Sequence, residues 1–442
     1  MNKHLVFITV IGCLGGLLIG FDIAVVNGTM PLMNNYFGLT LAMTLGLTVS
    51  STMFGCFIGA FFIGNFSERS DGRDLMKILS LIYIISSIGS GISDNYVFFF
   101  IFRVITGMVI GGLTVICPVY LSEVAPPALR GRVVAFFPLA IFVGILLGII
   151  SNSLLIESGA NNWRWMFIAS MVPAIIFIGL LFNTVRTPRW LTRKGYDRET
   201  SFVTRLINPD EEIDLLMKEI KSAFSFDKKK PSASIFNKPY QKILLVAILL
   251  CIFNQFAGFS LILYYLSDLF SMAGYPSDYN LELMVYLGLI SLVPAISGIV
   301  FIDKIGRKKL LQYGAVLTGI MLMALAILLV TGTHMQIIFT SVVIILIGFY
   351  SATFGVAMWC IIPEMFPNDI RSRSVSLVMG IYWLINFFTS CLFIILPGEK
   401  AKGCIFLLFA LITLSSFFYF SKNIRETKGV SLEEMGTHLL SK

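Results

Sequence analysis

The sequence predicts an all-α membrane protein with twelve transmembrane helices. Of its 442 residues, 57% are hydrophobic and only 13% are charged, whereas soluble domains carry charge on about a quarter of their residues. Three long stretches, 23–67, 310–363 and 374–398, contain no Asp, Glu, Lys or Arg. Such stretches need lipid around them, which excludes a soluble globular protein.

Twelve apolar segments follow one another along the chain, each long enough to cross a bilayer. A bilayer core about 30 Å thick needs about 20 apolar residues in helical form, because backbone polar groups in lipid must be satisfied within the segment. We place the segments at residues 5–29, 41–66, 75–93, 96–121, 133–156, 165–185, 242–272, 281–302, 309–331, 335–362, 374–397 and 403–421. The first is too long for a secretory signal and lacks a small-residue cleavage site.

The basic residues orient these spans. With the N-terminus inside, 29 of the 33 Lys and Arg fall in the terminus, the inner loops and the tail. Arg164, Lys400 and Lys402 fall outside, and Arg103 falls within the membrane. This is the positive-inside pattern, so both termini are predicted to be cytosolic. Orientation and anionic lipid explain the net charge of +8, and no nucleic-acid partner is required.

Four regions follow from this topology. Residues 1–185 form a first six-helix bundle, 186–241 a cytosolic linker with short helices, 242–421 a second six-helix bundle, and 422–442 a cytosolic tail. The linker includes an amphipathic pattern, with apolar residues at helical spacing: Ile213, Leu216, Met217 and Ile220.

The two bundles repeat each other at their charged turns. Glu123 begins Glu-Val-Ala-Pro and is followed seven residues later by Arg130, while Glu364 begins Glu-Met-Phe-Pro and is followed seven residues later by Arg371. Matching turns in two six-span halves indicate parallel repeats related by an axis along the membrane normal, an arrangement of many secondary transporters.

Two charged residues lie at bilayer depth. Asp22 is the only acidic residue in the first span, and Arg103 is the only basic residue deep in any span. Charges there cost several kcal/mol, so they usually face the protein interior, pair and serve transport. We interpret Asp22 and Arg103 as a proton-coupling site; a permanent structural ion pair is the alternative.

Polar and aromatic residues interrupt the spans of the second half. They are Asn254, Gln255, Ser260, Tyr264 and Tyr265 in span 7, Trp359 in span 10, and Trp383 and Asn386 in span 11. Amides in lipid must find hydrogen-bond partners, and a polyhydroxylated ligand is one such partner. Helix packing is the alternative role for each of them.

Taken in order, the motifs resemble those of the sugar porter family of the major facilitator superfamily over essentially the whole chain. The matching segments are 15–28 in the first span, 118–132 at the turn after span 4, Thr187-Pro-Arg-Trp-Leu191, 254–265 in span 7, and Glu426-Thr-Lys-Gly429. The resemblance implies the major facilitator fold, with two six-helix halves related by a pseudo-two-fold axis. It also implies proton coupling, because proton-coupled sugar porters typically carry Asp at the position of Asp22.

The same resemblance implies a sugar site with fewer hydrogen-bonding groups than usual. Trp359, Trp383 and Asn386 match positions where the family stacks on a pyranose or hydrogen-bonds it. Pro138 and Ile145 stand where Gln is common, and shorter side chains replace the usual amides at three further positions: Asn254, Ser260 and Ser291. We expect this pocket to discriminate hydroxyl patterns less stringently or to recognise a different ligand, since specificity follows buried polar pairing.

By resemblance, the charged inner turns form a cytosolic gate that closes while the carrier faces out. The gate residues are Glu68, Arg69, Arg73, Glu123, Arg130, Arg132, Asp303, Arg307, Glu364, Arg371 and Arg373. Topology-setting charge is the alternative role, because exposed ion pairs contribute little individually. The first-half turn departs from the family pattern at Glu68 and at Asp71-Gly72, so its contribution is expected to be weaker.

We therefore predict a secondary transporter that imports a pentose, hexose or polyol with a proton by alternating access. A sugar uniporter, a proton-driven exporter of amphipathic compounds and a nutrient sensor are the alternatives. The three His and seven Cys are scattered and no P-loop is present, so we expect no metal, no cofactor and no enzymatic activity. The expected partners are the sugar, the proton and membrane lipid, for a monomer in a membrane that short outer loops suggest is a bacterial inner membrane.

Overall fold

The structure is a computed structural model that describes residues 2–38, 41–67, 69–126, 128–159, 161–207, 235–275, 280–333, 335–367, 370–396 and 398–428. These residues form eighteen helices. In the first half they are α1 (Lys3–Phe37), α2 (Leu41–Ser67), α3 (Gly72–Ile92), α4 (Tyr96–Val124), α5 (Arg130–Leu155), α6 (Asn162–Ala169) and α7 (Met171–Leu181), followed by α8 (Pro188–Lys194) and α9 (Asp197–Ile207). In the second half they are α10 (Lys238–Phe256), α11 (Phe259–Tyr264), α12 (Leu266–Met272), α13 (Asn280–Ile305), α14 (Arg307–Thr331), α15 (Gln336–Ala352), α16 (Phe354–Met365), α17 (Arg371–Ile395) and α18 (Glu399–Asn423).

Twelve helical segments of the described chain are long and apolar enough to cross a membrane, which confirms the predicted number. Three of these spans are interrupted: α6 and α7 meet at Ser170, α10 and α11 at Gly258, and α15 and α16 at Thr353. Gly258 has a φ of 76°, a conformation that glycine adopts without steric cost. The helix predicted around 213–220 and the chain from 429 onward lie outside the described residues.

Small residues bring helices of the first half into close contact. A Cβ added at Gly20 in α1 would overlap the carbonyl oxygen of Ile141 in α5, and one added at Gly55 in α2 would overlap that of Val104 in α4. Glycines at these crossings let two helix backbones approach directly. The close crossing of α1 and α5 determines where their side chains point along the centre of the protein.

The two halves pack on each other mainly along two pairs of helices. α2 packs against α17, and α5 packs against α13. On the face that carries the basic turns, called the inner face below, the Ser376 hydroxyl of α17 accepts a hydrogen bond from the Gly64 N–H of α2 at 3.0 Å. The Cys360 thiol of α16 donates to the Gly131 carbonyl oxygen of α5 at 3.4 Å. The halves are therefore in contact at the inner face.

Candidate functional site

A buried ion pair joins α1 to α4. Arg103 Nη1 and Nη2 donate to the two carboxylate oxygens of Asp22, each at 2.7 Å. Nη2 also donates to Thr52 Oγ1 of α2 at 2.7 Å. Asp22 is 3% exposed and Arg103 is 1% exposed. A bidentate pair of this kind is held in a fixed geometry and is strengthened by its dry surroundings.

The ring of Phe167 completes the environment of the pair. The Arg103 guanidinium carbon lies 5.3 Å from its centroid, within the range of a cation–π contact. All four groups belong to the first half of the chain, on α1, α2, α4 and α6.

A cavity lined by residues of both halves lies between them. Five of the nine residues predicted to bind substrate line it: Ser260, Tyr264, Trp359, Trp383 and Asn386. Ile19 and Ile23 of α1 line the opposite wall, and Asp22 lies between them in sequence. The cavity and the buried pair thus share one helix.

Asn386 is the polar residue best placed for a ligand. It is 1% exposed and lines the cavity, and neither its amide oxygen nor its amide nitrogen has a hydrogen-bond partner among the described residues. A buried amide without partners costs free energy, which a ligand hydroxyl in the cavity would recover. Nearby, the hydroxyls of Ser260 and Tyr382 lie 3.4 Å apart.

Two tryptophans of the second half reach across to the first. Trp383 Nε1 donates to Thr114 Oγ1 of α4 at 3.2 Å. The ring centroid of Trp359 lies 5.2 Å from that of Phe137 in α5. Both indoles therefore line the cavity and contact the opposite half.

The other four predicted substrate residues do not line this cavity. Gln255 donates to Thr389 Oγ1 at 3.1 Å, although its own amide oxygen is buried without a partner. Asn254 accepts from the Tyr350 hydroxyl at 3.2 Å, and Tyr265 packs on Phe393. Ser291 lines a neighbouring cavity. Gln255 thus has one group free to bind a ligand if the neighbouring side chains move.

At the inner face, an ion pair connects the halves. Arg132 of α5 lies 3.2 Å from an Asp303 oxygen of α13. Within the second half, Arg307 pairs with Asp303 at 3.3 Å and with Glu364 at 2.9 Å. The second Glu364 oxygen accepts from the Thr427 hydroxyl at 2.6 Å.

Gly131 of α5 lies directly against this charged cluster. A Cβ at Gly131 would overlap both Asp303 Oδ1 and Arg307 Nη2. The backbone of the first half therefore rests on the ion pair of the second half, so a side chain at this position would displace Asp303 or Arg307.

Among the remaining gate residues, Arg73 and Arg371 contact groups of their own half. Arg73 binds Asp74 at 3.0 Å, and the Arg371 Nε donates to the Pro363 and Phe366 carbonyl oxygens. Arg69 is exposed, and Glu123 lines a polar cavity with Arg189. Arg130 is buried, and both it and Arg373 have contacts. Glu68 lies outside the described residues.

Asp71, where the first-half turn departs from the family pattern, caps a helix. Its carboxylate accepts from the Arg73 N–H at 3.0 Å, which caps α3, and from the Thr187 N–H at 3.3 Å, which ties α3 to α8. Burial raises the pKa of Asp71 to about 6, although the two N–H donors oppose this and the nearby charges of Glu123 and Asp74 add to it. Asp71 is thus a structural link whose charge changes near neutral pH.

Comparisons with known proteins identify the family. The family described as "Sugar (and other) transporter" matches residues 8–439. The chain belongs to this sugar transporter family. The probable metabolite transport protein CsbC of Bacillus subtilis (strain 168) is 32% identical over 99% of this chain and 95% of its own length.

Two solved transporter structures share the fold of this chain. The proton:xylose symporter XylE bound to 6-bromo-6-deoxy-D-glucose matches with a TM-score of 0.91 at 28% identity, and each chain is 99% covered. The inward open conformation of the xylose transporter XylE from E. coli matches with a TM-score of 0.76 at 27% identity, covering 98% of this chain and 99% of that one. The predicted major facilitator fold and a transport function, rather than an enzymatic one, are confirmed.

Three residues of the transporter's site were missed by sequence reasoning. Thr52, which binds Arg103, follows Ser50 and Ser51 in its span, whereas Tyr382 and Thr114, which line the cavity, each stand alone among apolar neighbours. Tyr382 could have been found, because it lies four residues before Asn386 and so on the same helix face. Nothing in the sequence distinguishes Thr52 or Thr114 from other buried threonines.

Proposed function

We propose that this sugar transporter imports a monosaccharide or polyol together with a proton by alternating access. The observation that carries the proposal is the dry, bidentate Asp22–Arg103 pair on the helix that also lines the central cavity. The name of XylE as a proton:xylose symporter supports the same assignment. A uniporter of the same fold would have no need to bury an ionisable pair at that position.

The chemistry of the pair provides a coupling step. A proton on Asp22 removes the charge that attracts Arg103, while Thr52 and Phe167 still hold the guanidinium. The cost of moving α1 relative to α4 then falls. A membrane potential of about 100 mV supplies roughly 2.3 kcal/mol per proton, enough for about fiftyfold accumulation.

The inner-face contacts correspond to the closed cytosolic gate. Arg132–Asp303 and the Gly131 contact join the halves and would separate when the carrier opens inward. The TM-score of 0.91 to sugar-bound XylE, against 0.76 to its inward open form, supports this interpretation. The remaining predictions, a monomer in the cell membrane of a bacterium with both termini cytosolic, are part of the proposal.

Transport by purified protein in proteoliposomes tests the proposal. Labelled pentoses, hexoses and polyols are offered with and without an inward proton gradient. We expect the gradient to drive accumulation in the wild type, and Asp22→Asn to abolish accumulation while sugar exchange in counterflow continues. Asp94→Asn is the matched control, because Asp94 pairs with Arg164 at an exposed site and should retain both activities.

Three outcomes would contradict the proposal. Wild-type uptake that ignores the gradient indicates a uniporter. Normal accumulation by Asp22→Asn makes the buried pair structural. Efflux of a lipophilic cation without uptake of any sugar indicates an exporter.

A further inference from the structure

The two walls of the central cavity differ in chemistry. The wall from the second half has hydroxyls and an amide, from Ser260, Tyr382 and Asn386. The wall from the first half consists of Ile19, Ile23, Pro138, Ile141, Phe142 and Thr114. Five of those six side chains have no polar atom.

Thr114 is the polar exception, and its hydroxyl already makes two hydrogen bonds within the protein. Its hydroxyl donates to the Gly111 carbonyl oxygen at 2.6 Å and accepts from Trp383 Nε1 at 3.2 Å. A hydroxyl has one hydrogen and two lone pairs, so Thr114 retains only one weakly accessible lone pair. The first half therefore presents a ligand with an almost wholly apolar surface.

The apolar surface continues beyond the cavity. Ile23, Phe142 and Leu263 line both the central cavity and the neighbouring cavity that Ser291 lines. There the wall from the first half extends through Ile145 and Ile149. The amide hydrogens of Asn27 are donated to the Ile23 and Leu263 carbonyl oxygens, which leaves only its amide oxygen for a ligand.

A fully hydroxylated hexose does not fit this distribution well. Its hydroxyls lie around the whole ring, so those that face α1 and α5 would be buried without partners, and each such loss is costly. Removing one ring hydroxyl would not make a side of the sugar apolar, because the hydroxyls on the neighbouring ring carbons remain. Loss of the hydroxyl at C6 instead leaves a methyl group beside the C5–H, so one corner of the sugar becomes apolar while the opposite edge keeps its hydroxyls.

We propose that the substrate is a 6-deoxyhexose, bound with its methyl corner against α1 and α5 and its hydroxyl edge towards Asn386, Ser260 and Tyr382. This inference rests on the proposed function and specifies its substrate class. The free amide of Asn386 binds the ring hydroxyls, and Ile19, Ile141 and Phe142 enclose the methyl group.

Two sugar series test the inference, each varying only the substituent at C5. The first is D-glucose, 6-deoxy-D-glucose and D-xylose; the second is D-galactose, 6-deoxy-D-galactose and L-arabinose. The substituents are CH2OH, CH3 and H respectively. Initial uptake by purified protein in proteoliposomes under a proton gradient gives a KM for each member.

In whichever series is transported, the 6-deoxy sugar should have the lowest KM. It should be about fourfold below the pentose, the factor expected for burial of one methyl group. It should be at least about tenfold below the hexose, whose extra hydroxyl lacks a partner. Ile141→Gln should narrow the gap between hexose and 6-deoxyhexose, and Ile141→Leu, which keeps the wall apolar, should preserve it.

The results separate this inference from the proposed function. A hexose KM equal to or below that of its 6-deoxy partner would overturn the substrate class while leaving sugar–proton symport intact. An unchanged ranking in Ile141→Gln would also overturn it, because the wall would then not be the cause. Absence of gradient-driven uptake for every member would defeat this inference, and it would defeat the proposed function as well if no other pentose, hexose or polyol is taken up.

Discussion

Substitution of Gly131 by Ala should open the inner face of the transporter. The added Cβ would overlap Asp303 Oδ1 and Arg307 Nη2, which belong to the opposite half. While the halves stay closed, the overlap can be relieved only by displacing the charged side chains of Asp303 and Arg307. Arg307 is 2% exposed, so it has little room to move. Separation of the halves relieves it completely, so the substitution penalises the closed state selectively.

The size of the effect follows from overpacking. Inserting one carbon into a tightly packed contact costs about 1–3 kcal/mol. The Arg132–Asp303 pair has its Arg side chain 45% exposed, so its loss adds less than about 1 kcal/mol. The ratio of inward-open to closed protein should therefore rise between about fivefold and about a hundredfold.

Cys360 provides a native reporter for this shift. It is fully buried, and its thiol donates to the Gly131 carbonyl oxygen across the boundary between the halves. Alkylation by N-ethylmaleimide, quantified at the Cys360 peptide by mass spectrometry, should be at least fivefold faster in Gly131→Ala than in the wild type. Gly179→Ala is the matched control, because a Cβ at Gly179 meets no other atom.

An unchanged alkylation rate at Cys360 in Gly131→Ala would refute the reasoning. It would mean that the inner face is not held by this contact. Equal acceleration in Gly179→Ala would instead attribute the effect to a general loosening of the fold, and a thermal melt of both variants in detergent would show that loosening directly.

Three further results are expected. Thr52→Val should lower the free energy of unfolding by about 1.5–3 kcal/mol, because it removes a hydrogen bond to a buried charge. Thr106→Val is the control, because the Thr106 hydroxyl bonds only to the neutral Ser86 hydroxyl and to a backbone carbonyl oxygen. Its melting temperature should fall less than that of Thr52→Val. Asn386→Leu should keep or raise the melting temperature, since a buried amide without partners is removed, yet raise the KM for sugar at least about tenfold; a lower melting temperature would assign Asn386 to folding. The raised pKa of Asp71, about 6 against 3.8, means that the folded state favours the protonated acid, so its contribution to stability is complete below pH 3.8 and is lost as the pH rises through 6. Asp71→Asn keeps a good cap without titrating, so its free energy of unfolding should rise relative to that of the wild type between pH 3.8 and about 6, by up to about 3 kcal/mol in total. Melting temperatures of the two proteins that stay parallel from pH 4 to 8 would contradict this.

The number and order of the spans could be predicted because hydropathy and charge are properties of the sequence alone. Asp22 and Arg103 stood out for the same reason: a charge at bilayer depth is rare enough to mark its position. The interruptions of the spans differ in how clearly the sequence marks them. Gly258 marks one, whereas Thr353, at which the tenth span is interrupted, resembles any helical threonine.

The lining of the cavity could be predicted only in part, because it depends on how each helix is rotated. Gln255 and Ser260 are five residues apart, yet Ser260 lines the cavity and Gln255 lies behind it, bonded to Thr389. The break at Gly258 lies between them and changes which side chains face inward. Such a rotation is set by contacts with other helices and has no signature in the local sequence.

The two halves carry different parts of the proposed site, and this affects how proton and sugar could be coupled. The ion pair and its supports lie in the first half, while the free hydrogen-bonding groups of the cavity lie in the second. Coupling must therefore cross the boundary, and two helices provide the route. α1 carries Asp22 between two cavity residues, and α4 carries Arg103 eleven residues, about 16 Å, before Thr114, which binds Trp383. A sugar that displaces Trp383 acts on the helix that holds the guanidinium, and a sugar that presses on Ile23 acts on the helix that holds the carboxylate. In the proposed mechanism, the ligand and the ion pair thus influence the same motion of α1 against α4, which is the minimum that alternating access with a bound proton requires.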